Sequence, residues 1–121
     1  MFWQYVVTII VCIVAFYLIK AAGQISRKSA KQYLRNGALL IDVRSEEEFR
    51  TRHLPRAINV PSTEIEAALP KTVKDKDKVL LLHCESGLRS GAAKKTARKL
   101  GYKSTYNIGS FDRALKILSG K

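Results

Sequence analysis

Apolar residues follow two different patterns along the chain. Residues 2–19 form one uncharged run in which only Gln4 and Thr8 are not apolar. From residue 26 onward, short apolar runs of strand length alternate with more polar segments of helical character. The change of pattern predicts a transmembrane helix over residues 1–20, a linker over 21–25 and one α/β domain over 26–119.

The N-terminal run has the dimensions of a membrane span. As a helix, residues 2–19 extend over about 27 Å, just enough to cross a hydrocarbon core of about 30 Å. Aromatic residues cluster at both ends of the run, as they do at membrane interfaces. We therefore expect a single-pass anchor that contacts the lipid bilayer through residues 2–19. A cleaved signal peptide is the alternative, although a basic n-region is missing, and a buried core helix fits less well because no face is polar.

The charge of the chain predicts on which side of the membrane the domain lies. The chain has 22 Lys and Arg against 10 Asp and Glu, a formal net charge of +12. The positive-inside rule predicts that the domain is cytoplasmic, and the same cations suit anionic lipid head groups. Nucleic-acid binding is not expected, because the basic residues are spread over several segments without a recognition motif. Five cations precede the first acidic residue, Asp42: Lys20, Arg27, Lys28, Lys31 and Arg35.

The alternation after residue 26 predicts an open, mainly parallel sheet with helices on both faces. The most apolar strand, 78–84, is expected to be central. Gly37 suits a left-handed helix end, Ser45 and Glu48 have capping-box spacing, and Pro70 is expected to stop a helix. The predicted helices are 26–37, 45–49, 62–69, 89–100 and 110–120, and the predicted strands are 38–43, 57–60, 78–84 and 103–108.

Cys84 ends the central strand and directly precedes a helix. Ligands of open α/β sheets bind at the carboxyl ends of strands, where loop amides and a helix N-terminus present positive partial charge. This field stabilises a thiolate, Gly87 permits a tight loop, and Arg89 adds a permanent cation. The loop is therefore predicted to be an anion cradle with a nucleophile at its floor. The only other cysteine is Cys12, so Cys84 is expected to be a free thiol. The alternative to a nucleophile at this position is an inert, buried cysteine that only packs in the core.

Three ordered stretches resemble the rhodanese sulfurtransferases. The stretch CESGLRS, residues 84–90, resembles the family's active loop, C-x-[ST]-G-x-R-S in many single-domain members. Residues 39–61 are similar to the family's upstream signature, which consists of D-V-R, a Glu-aromatic pair and a G-H-I-P-G-A-I-N stretch. Residues 100–111 are similar to the family's closing segment. The resemblance covers about residues 26–119 and implies a rhodanese-like fold.

The resemblance also implies a reaction. Cys84 would take the sulfane sulfur of a small anionic donor such as thiosulfate, or of a persulfide, and pass it to cyanide or a thiol, including a protein thiol. No cofactor and no metal are expected. Phosphatases of the same architecture resemble C-x5-R, one residue longer than this loop, and a non-catalytic binding or regulatory module is the second alternative. The expected substrate-binding residues are Glu85, Ser86, Gly87, Leu88 and Arg89, supported by Asp42, Arg44, His53 and Ser90.

Some residues depart from the family pattern or have a second reading. Glu85 directly follows the nucleophile. Its carboxylate either faces the pocket, where it would raise the pKa of Cys84, or points to solvent. Either way, thiosulfate as the physiological donor is in doubt. Arg44 is expected to pair with Glu48. His53 is expected to support a loop, and His83 to lie in the core or behind the site. Arg56 stands where the family has glycine.

Overall fold

The computed structural model describes residues 1–120, in which helices and strands alternate after a long N-terminal helix. The secondary structure prediction is confirmed in type and order, with ends that differ by a few residues. The helices are α1 (Phe2–Ala22), α2 (Arg27–Arg35), α3 (Glu46–Thr51), α4 (Ile65–Thr72, preceded by a 3-10 turn at Ser62–Glu64), α5 (Leu88–Lys99) and α6 (Phe111–Leu118). The strands are β1 (Leu39–Asp42), β2 (Ile58–Asn59), β3 (Leu80–His83) and β4 (Thr105–Gly109).

The four strands form one sheet in the order β2-β1-β3-β4, and every neighbouring pair is parallel. β3 is an inner strand, as predicted. Parallel strands have their carboxyl ends at one edge of the sheet, and the register places Asp42 opposite His83, and His83 opposite Gly109. The loop that follows His83 is therefore held at the edge where ligands of such sheets bind.

Both faces of the sheet are covered by helices. Successive side chains of β3 point to opposite faces, so Leu80 and Leu82 enter one core while Leu81 enters the other. Each of these leucines is fully buried, which stabilises the fold by about 2 kcal/mol per side chain. The first core includes Ile65 and Leu69 of α4 and Ala93 and Ala97 of α5, and the second includes Ala30 of α2 and Phe111, Ala114 and Ile117 of α6.

The predicted helix ends are partly confirmed. Ser45 and Glu48 form the capping box: the Ser45 hydroxyl accepts from the Glu48 amide at 3.2 Å, and the Glu48 carboxylate accepts from the Ser45 amide at 3.1 Å. Gly37 has a φ of +92° after α2. The prediction that Pro70 stops a helix is wrong, because Pro70 lies inside α4. Because proline has no amide hydrogen, Pro70 cannot donate to the carbonyl of Glu66, which lies on the exposed side of the helix. The carbonyl of the buried Leu69 still accepts from the Val73 amide at 2.8 Å.

Arg56 adopts a backbone conformation that favours glycine. It is the one non-glycine residue among those described with a positive φ, +66°. The amide of Ala57 donates to the carbonyl of Leu54 at 3.2 Å, which closes a four-residue turn with Pro55 and Arg56 at its centre. Proline followed by a residue with positive φ is the pattern of a type II turn, in which glycine is preferred at the third position.

α1 continues two residues beyond the predicted end of the transmembrane segment. Its stretch Phe2–Ile19 has a mean hydropathy of 2.3 and no part of it is buried against the domain. It is long and apolar enough to cross a membrane, a property that anchors and signal sequences share. After α1 the chain pairs with β4, since the Ile25 amide donates to the Asn107 carbonyl at 3.1 Å. The side chain of Lys20, counted above among the cations after the run, lies outside the described part.

Candidate active site

The thiol of Cys84 lies beneath the loop that joins β3 to α5, and its side chain is fully buried. Three donors point at its sulfur: the Gly87 amide at 3.0 Å, the Ser90 amide at 3.4 Å and the Ser90 hydroxyl at 3.4 Å. Gly87 has a φ of +97°, and this left-handed turn aims the Gly87 amide inward. The loop thus presents positive partial charge to one sulfur atom, as the sequence predicts.

These donors set the ionisation of Cys84. Burial disfavours the thiolate, but the hydrogen bonds from Ser90, Gly87 and Ser86 outweigh burial and lower the pKa of Cys84 below that of an ordinary thiol. The Ser90 hydroxyl carries one proton, so its bond to sulfur competes with its 2.7 Å bond to the Asn107 carboxamide oxygen. The Gly87 amide is therefore the constant donor, and the Ser90 hydroxyl adds to it when it turns toward the sulfur.

Asn107 is a site residue that the sequence analysis missed. Its side chain accepts from the Ser90 hydroxyl at 2.7 Å and from the Gly109 amide at 2.9 Å, and it donates to the Gly87 carbonyl at 3.1 Å. One buried carboxamide thus ties β4 to the loop and to α5. The signal for it was a polar residue in the interior of a buried strand, where such groups need hydrogen-bond partners.

The loop is also packed tightly from behind. A Cβ added at Gly87 would lie 3.0 Å from the Gln24 side chain and 3.2 Å from the Gly109 backbone, and one at Gly109 would lie 2.8 Å from Gln24. Gln24, just after α1, therefore forms part of the wall behind the active loop. Both glycines are needed for this close approach as well as for their positive φ angles.

Arg44 and Asp42 form a buried pair behind the loop. The guanidinium donates to both Asp42 carboxylate oxygens, at 2.8 and 3.1 Å, and to the Arg52 carbonyl at 2.6 Å. A further nitrogen of Arg44 lies 3.4 Å from the carboxylate of Glu85, whose side chain is 63% exposed. The predicted pairing of Arg44 with Glu48 is wrong, since Asp42, two residues away on the same strand end, takes the guanidinium.

Glu48 instead binds Arg89. The two guanidinium nitrogens donate to the two carboxylate oxygens at 2.7 and 3.0 Å. The Arg89 bonds, together with those from Ser45, outweigh partial burial and lower the pKa of Glu48 from 4.5 to about 2. Arg89 was predicted to bind an anionic sulfur donor, and in this structure its guanidinium binds the Glu48 carboxylate of the same chain.

The other predicted residues take different places. His83 is buried, and burial lowers its pKa. Its Nδ1 lies 3.3 Å from the Cys84 carbonyl, while its Nε2, 3.7 Å from Asp42, has no hydrogen-bond partner. It lies behind the site, as expected. His53 is exposed, stacks on Phe49 at 4.1 Å and contacts the Phe49 carbonyl at 2.8 Å. Ser86 and Leu88 are exposed on the outer side of the loop.

Together, the fold and this geometry define a class: parallel α/β domains with a hydrogen-bonded cysteine in the loop that precedes a helix. The profile of the Rhodanese-like domain matches residues 26–113, well over half of the chain. The chain belongs to the rhodanese-like domain family. The α/β rhodanese fold with a parallel sheet is thereby confirmed.

Named relatives place the chain more closely. It is 35% identical to the thiosulfate sulfurtransferase PspE of Escherichia coli over 81 residues, which cover 66% of this chain and 78% of that protein. The structure of the human single-domain sulfurtransferase TSTD1 has a TM-score of 0.65 and 30% identity, and the match covers 78% of this chain and 96% of that one. A tRNA uridine(34) hydroxylase of Sodalis glossinidius is 33% identical over 59% of this chain, but this region is only 21% of that protein. The sulfurtransferase relatives support sulfur transfer.

Proposed function

We propose that the chain is a membrane-anchored sulfurtransferase that carries sulfane sulfur on Cys84. The observation that carries the proposal is the 3.0 Å bond from the Gly87 amide to the Cys84 sulfur, at the start of α5. A hydrogen-bonded thiolate at a helix N-terminus is the reactive form of cysteine. The two sulfurtransferase relatives, each covered over more than two thirds of its length, support the same reaction.

The reaction has two steps. The Cys84 thiolate attacks the outer sulfur of the donor, the donor's sulfur–sulfur bond breaks, and the leaving group, sulfite or a thiolate, takes the electron pair. An acceptor thiol or cyanide then attacks the sulfur bound to Cys84 and restores the thiolate. The amides of Gly87 and Ser90 stabilise the charge that stays on the bound sulfur.

The test uses the full chain in a nonionic detergent, with Cys12→Ser so that Cys84 is the only thiol. After incubation with thiosulfate or glutathione persulfide, intact mass should show one added sulfur atom, and cyanide should release it as thiocyanate. The matched control, Cys84→Ser, should gain nothing. Absence of a gain from both donors would contradict the proposal.

A non-catalytic rhodanese-like module is the second candidate. Two observations favour it: Cys84 is fully buried, and Arg89 is already bound to Glu48. Such a module would bind a partner at the membrane without loading sulfur. The loading experiment therefore decides between the two functions.

The anchor and its orientation are part of the proposal. The unburied, apolar Phe2–Ile19 would span the bilayer, and the cations that follow it would hold the domain on the cytoplasmic side. We expect the chain to stay in the membrane pellet after alkaline carbonate extraction. Protease added to right-side-out vesicles should spare the domain, and protease added to inverted vesicles should degrade it.

A further inference from the structure

Two clefts beside the loop of residues 85–89 have the opposite net charge to the rest of the chain. These clefts, of about 280 and 380 Å³, flank the Arg89–Glu48 pair, because Arg89 lines one and Glu48 lines the other. The clefts contain half of the 10 acidic residues but few of the 22 basic ones. The ionic residues that line them are Arg44, Arg52, Arg89, Glu46, Glu47, Glu48, Glu64 and Glu85.

The three arginines of these clefts already have partners within the chain. Arg44 is held by Asp42 and by Glu85, and Arg89 is held by both oxygens of Glu48. The guanidinium of Arg52 lies over the ring of Phe111, 4.2 Å from its centre. With Cys84 ionised, three guanidiniums, of Arg44, Arg52 and Arg89, stand against three carboxylates, of Asp42, Glu48 and Glu85, and one thiolate. An incoming anion thus meets a small excess of negative side-chain charge around the loop before it reaches the loop amides.

Sulfur donors differ in the charge they add. With thiosulfate, the thiolate attacks the outer sulfur, the sulfur–sulfur bond breaks, and sulfite leaves with the electron pair, so three negative charges are present throughout. With a persulfide R–S–S–H, the same attack gives a Cys84 persulfide, which keeps the proton, and the thiolate R–S⁻, with one negative charge in total. Carboxylates in the clefts beside the loop therefore oppose the approach of thiosulfate more strongly than that of a persulfide.

We propose that Glu85, assisted by Glu48, makes Cys84 select small persulfides that carry an ammonium group near the reacting sulfur, and disfavours anionic donors. This inference rests on the proposed function, whose donor it specifies. Glu85 directly follows the nucleophile, and its carboxylate is 63% exposed at the cleft, where a cation in the cleft can approach it. Glu48 contributes because it occupies the guanidinium that would otherwise receive an anion's oxygens.

The test measures single-turnover loading of Cys84 in the full Cys12→Ser chain in nonionic detergent. The donors are cysteamine persulfide, which bears an ammonium group, 3-mercaptopropionate persulfide, which bears a carboxylate, and thiosulfate. Each rate constant is divided by that of the same donor with free 2-mercaptoethanol, which removes differences in intrinsic reactivity. We expect the normalised rate to be highest for the ammonium donor and lowest for thiosulfate, with differences that shrink as salt is added.

Glu85→Gln should raise the normalised thiosulfate rate about tenfold, about 1.4 kcal/mol in activation free energy, and lower that of cysteamine persulfide. Glu48→Gln should also raise the thiosulfate rate. The matched control is Asp77→Asn, the same change of charge in the exposed loop before β3, at the opposite end of that strand from Cys84. It should leave the ratio of the two rates unchanged.

The outcomes separate the two proposals. If Cys84 loads but prefers thiosulfate, or if Glu85→Gln changes the ratio no more than Asp77→Asn, the inference about the donor is wrong and sulfur transfer stands. If none of the three donors loads wild-type Cys84, the proposed function itself is contradicted, and the donor inference with it.

Discussion

The side chain of Asn107 donates to the carbonyl of Gly87 at 3.1 Å, and so links the last strand to the middle of the active loop. The same carboxamide accepts from Ser90 and Gly109, so that both of its ends are used. The loop is therefore held in place by a residue 20 positions away in sequence, and not only by its own turn.

We expect Asn107→Ala to destabilise the chain by about 2 to 4 kcal/mol, because it removes three buried hydrogen bonds, to Ser90, Gly87 and Gly109, and opens a small cavity between β4 and the loop. The measurement is the urea dependence of unfolding. Asn36→Ala, at an exposed helix end, is the matched control and should cost less than about 1 kcal/mol. Equal losses in the two variants would show that Asn107 does not secure the loop.

The second prediction concerns the ionisation of Cys84. Its lowered pKa means that the rate of alkylation by iodoacetamide should rise with pH at a midpoint below that of an ordinary cysteine. Ser90→Ala removes one donor to the thiolate, so the midpoint should move to higher pH. Ser119→Ala, near the exposed C-terminal end, should not move it. A midpoint unchanged in Ser90→Ala would mean that the backbone amides alone set the pKa.

The third prediction is a pH dependence of stability from Glu48. Its pKa is about 2 in the folded chain against an ordinary 4.5, so its ionised form stabilises the fold above about pH 4.5, and this contribution is lost as pH falls toward 2. Because both partners are more than a third exposed, the contribution should be about 1 kcal/mol or less. Glu48→Gln should abolish that part of the acid dependence, measured by urea unfolding from pH 7 to pH 2.5, while Glu47→Gln should retain it.

The fourth prediction compares two glycines with positive φ. Gly87→Ala should destabilise the chain by about 2 to 3 kcal/mol, because its Cβ would meet Gln24 at 3.0 Å and Gly109 at 3.2 Å in addition to the strained φ. Gly37→Ala should cost only about 1 kcal/mol, since the nearest atom, the Lys78 amine, lies 3.8 Å away. Urea unfolding of both variants measures the difference, and similar losses would argue against close packing at Gly87.

The fifth prediction is a stabilising substitution. Arg56→Gly should raise the free energy of unfolding by about 0.5 to 1 kcal/mol, because glycine adopts a φ of +66° without strain and Arg56 is exposed. Arg50→Gly, inside α3, is the contrasting control and should destabilise by about 1 kcal/mol. A destabilised Arg56→Gly would mean that the Arg56 side chain stabilises the turn by more than the strain costs.

The features predicted correctly from sequence are those set by local chemistry. Apolar runs of strand length gave β1 and β3, and Ser45 with Glu48 gave the capping box, because each depends on neighbours in sequence. The position of Cys84 between the inner strand and a helix followed from the same periodicity. The family resemblance added the expectation of sulfur chemistry, which no spacing of residues by itself implies.

Most of the interpretations that failed or were missing depend on tertiary packing. Arg89 was expected to face a donor, but its partner Glu48 is brought to it only when α3 folds over the loop. The partner of Arg44, Asp42, is local in sequence and was overlooked in favour of Glu48. Asn107 belongs to the site through β4, and Gln24 through the segment after α1. Pro70 is tolerated inside α4 because Leu69 beside it is buried in the core and its carbonyl still accepts from the Val73 amide. Long-range contacts of this kind leave only weak signals in a single sequence.

The pairing of residues 24 and 25 with β4 also protects the sheet. β4 is the last strand in the order β2-β1-β3-β4, and the Ile25 amide bonds to it at Asn107. A fragment that starts at Ser26 would lose this cover and present an unpaired strand edge, the usual template for association between copies of a protein. Cleavage before Gly23 would remove α1 but keep this cover over β4, whereas cleavage only three residues later would expose the middle of the strand.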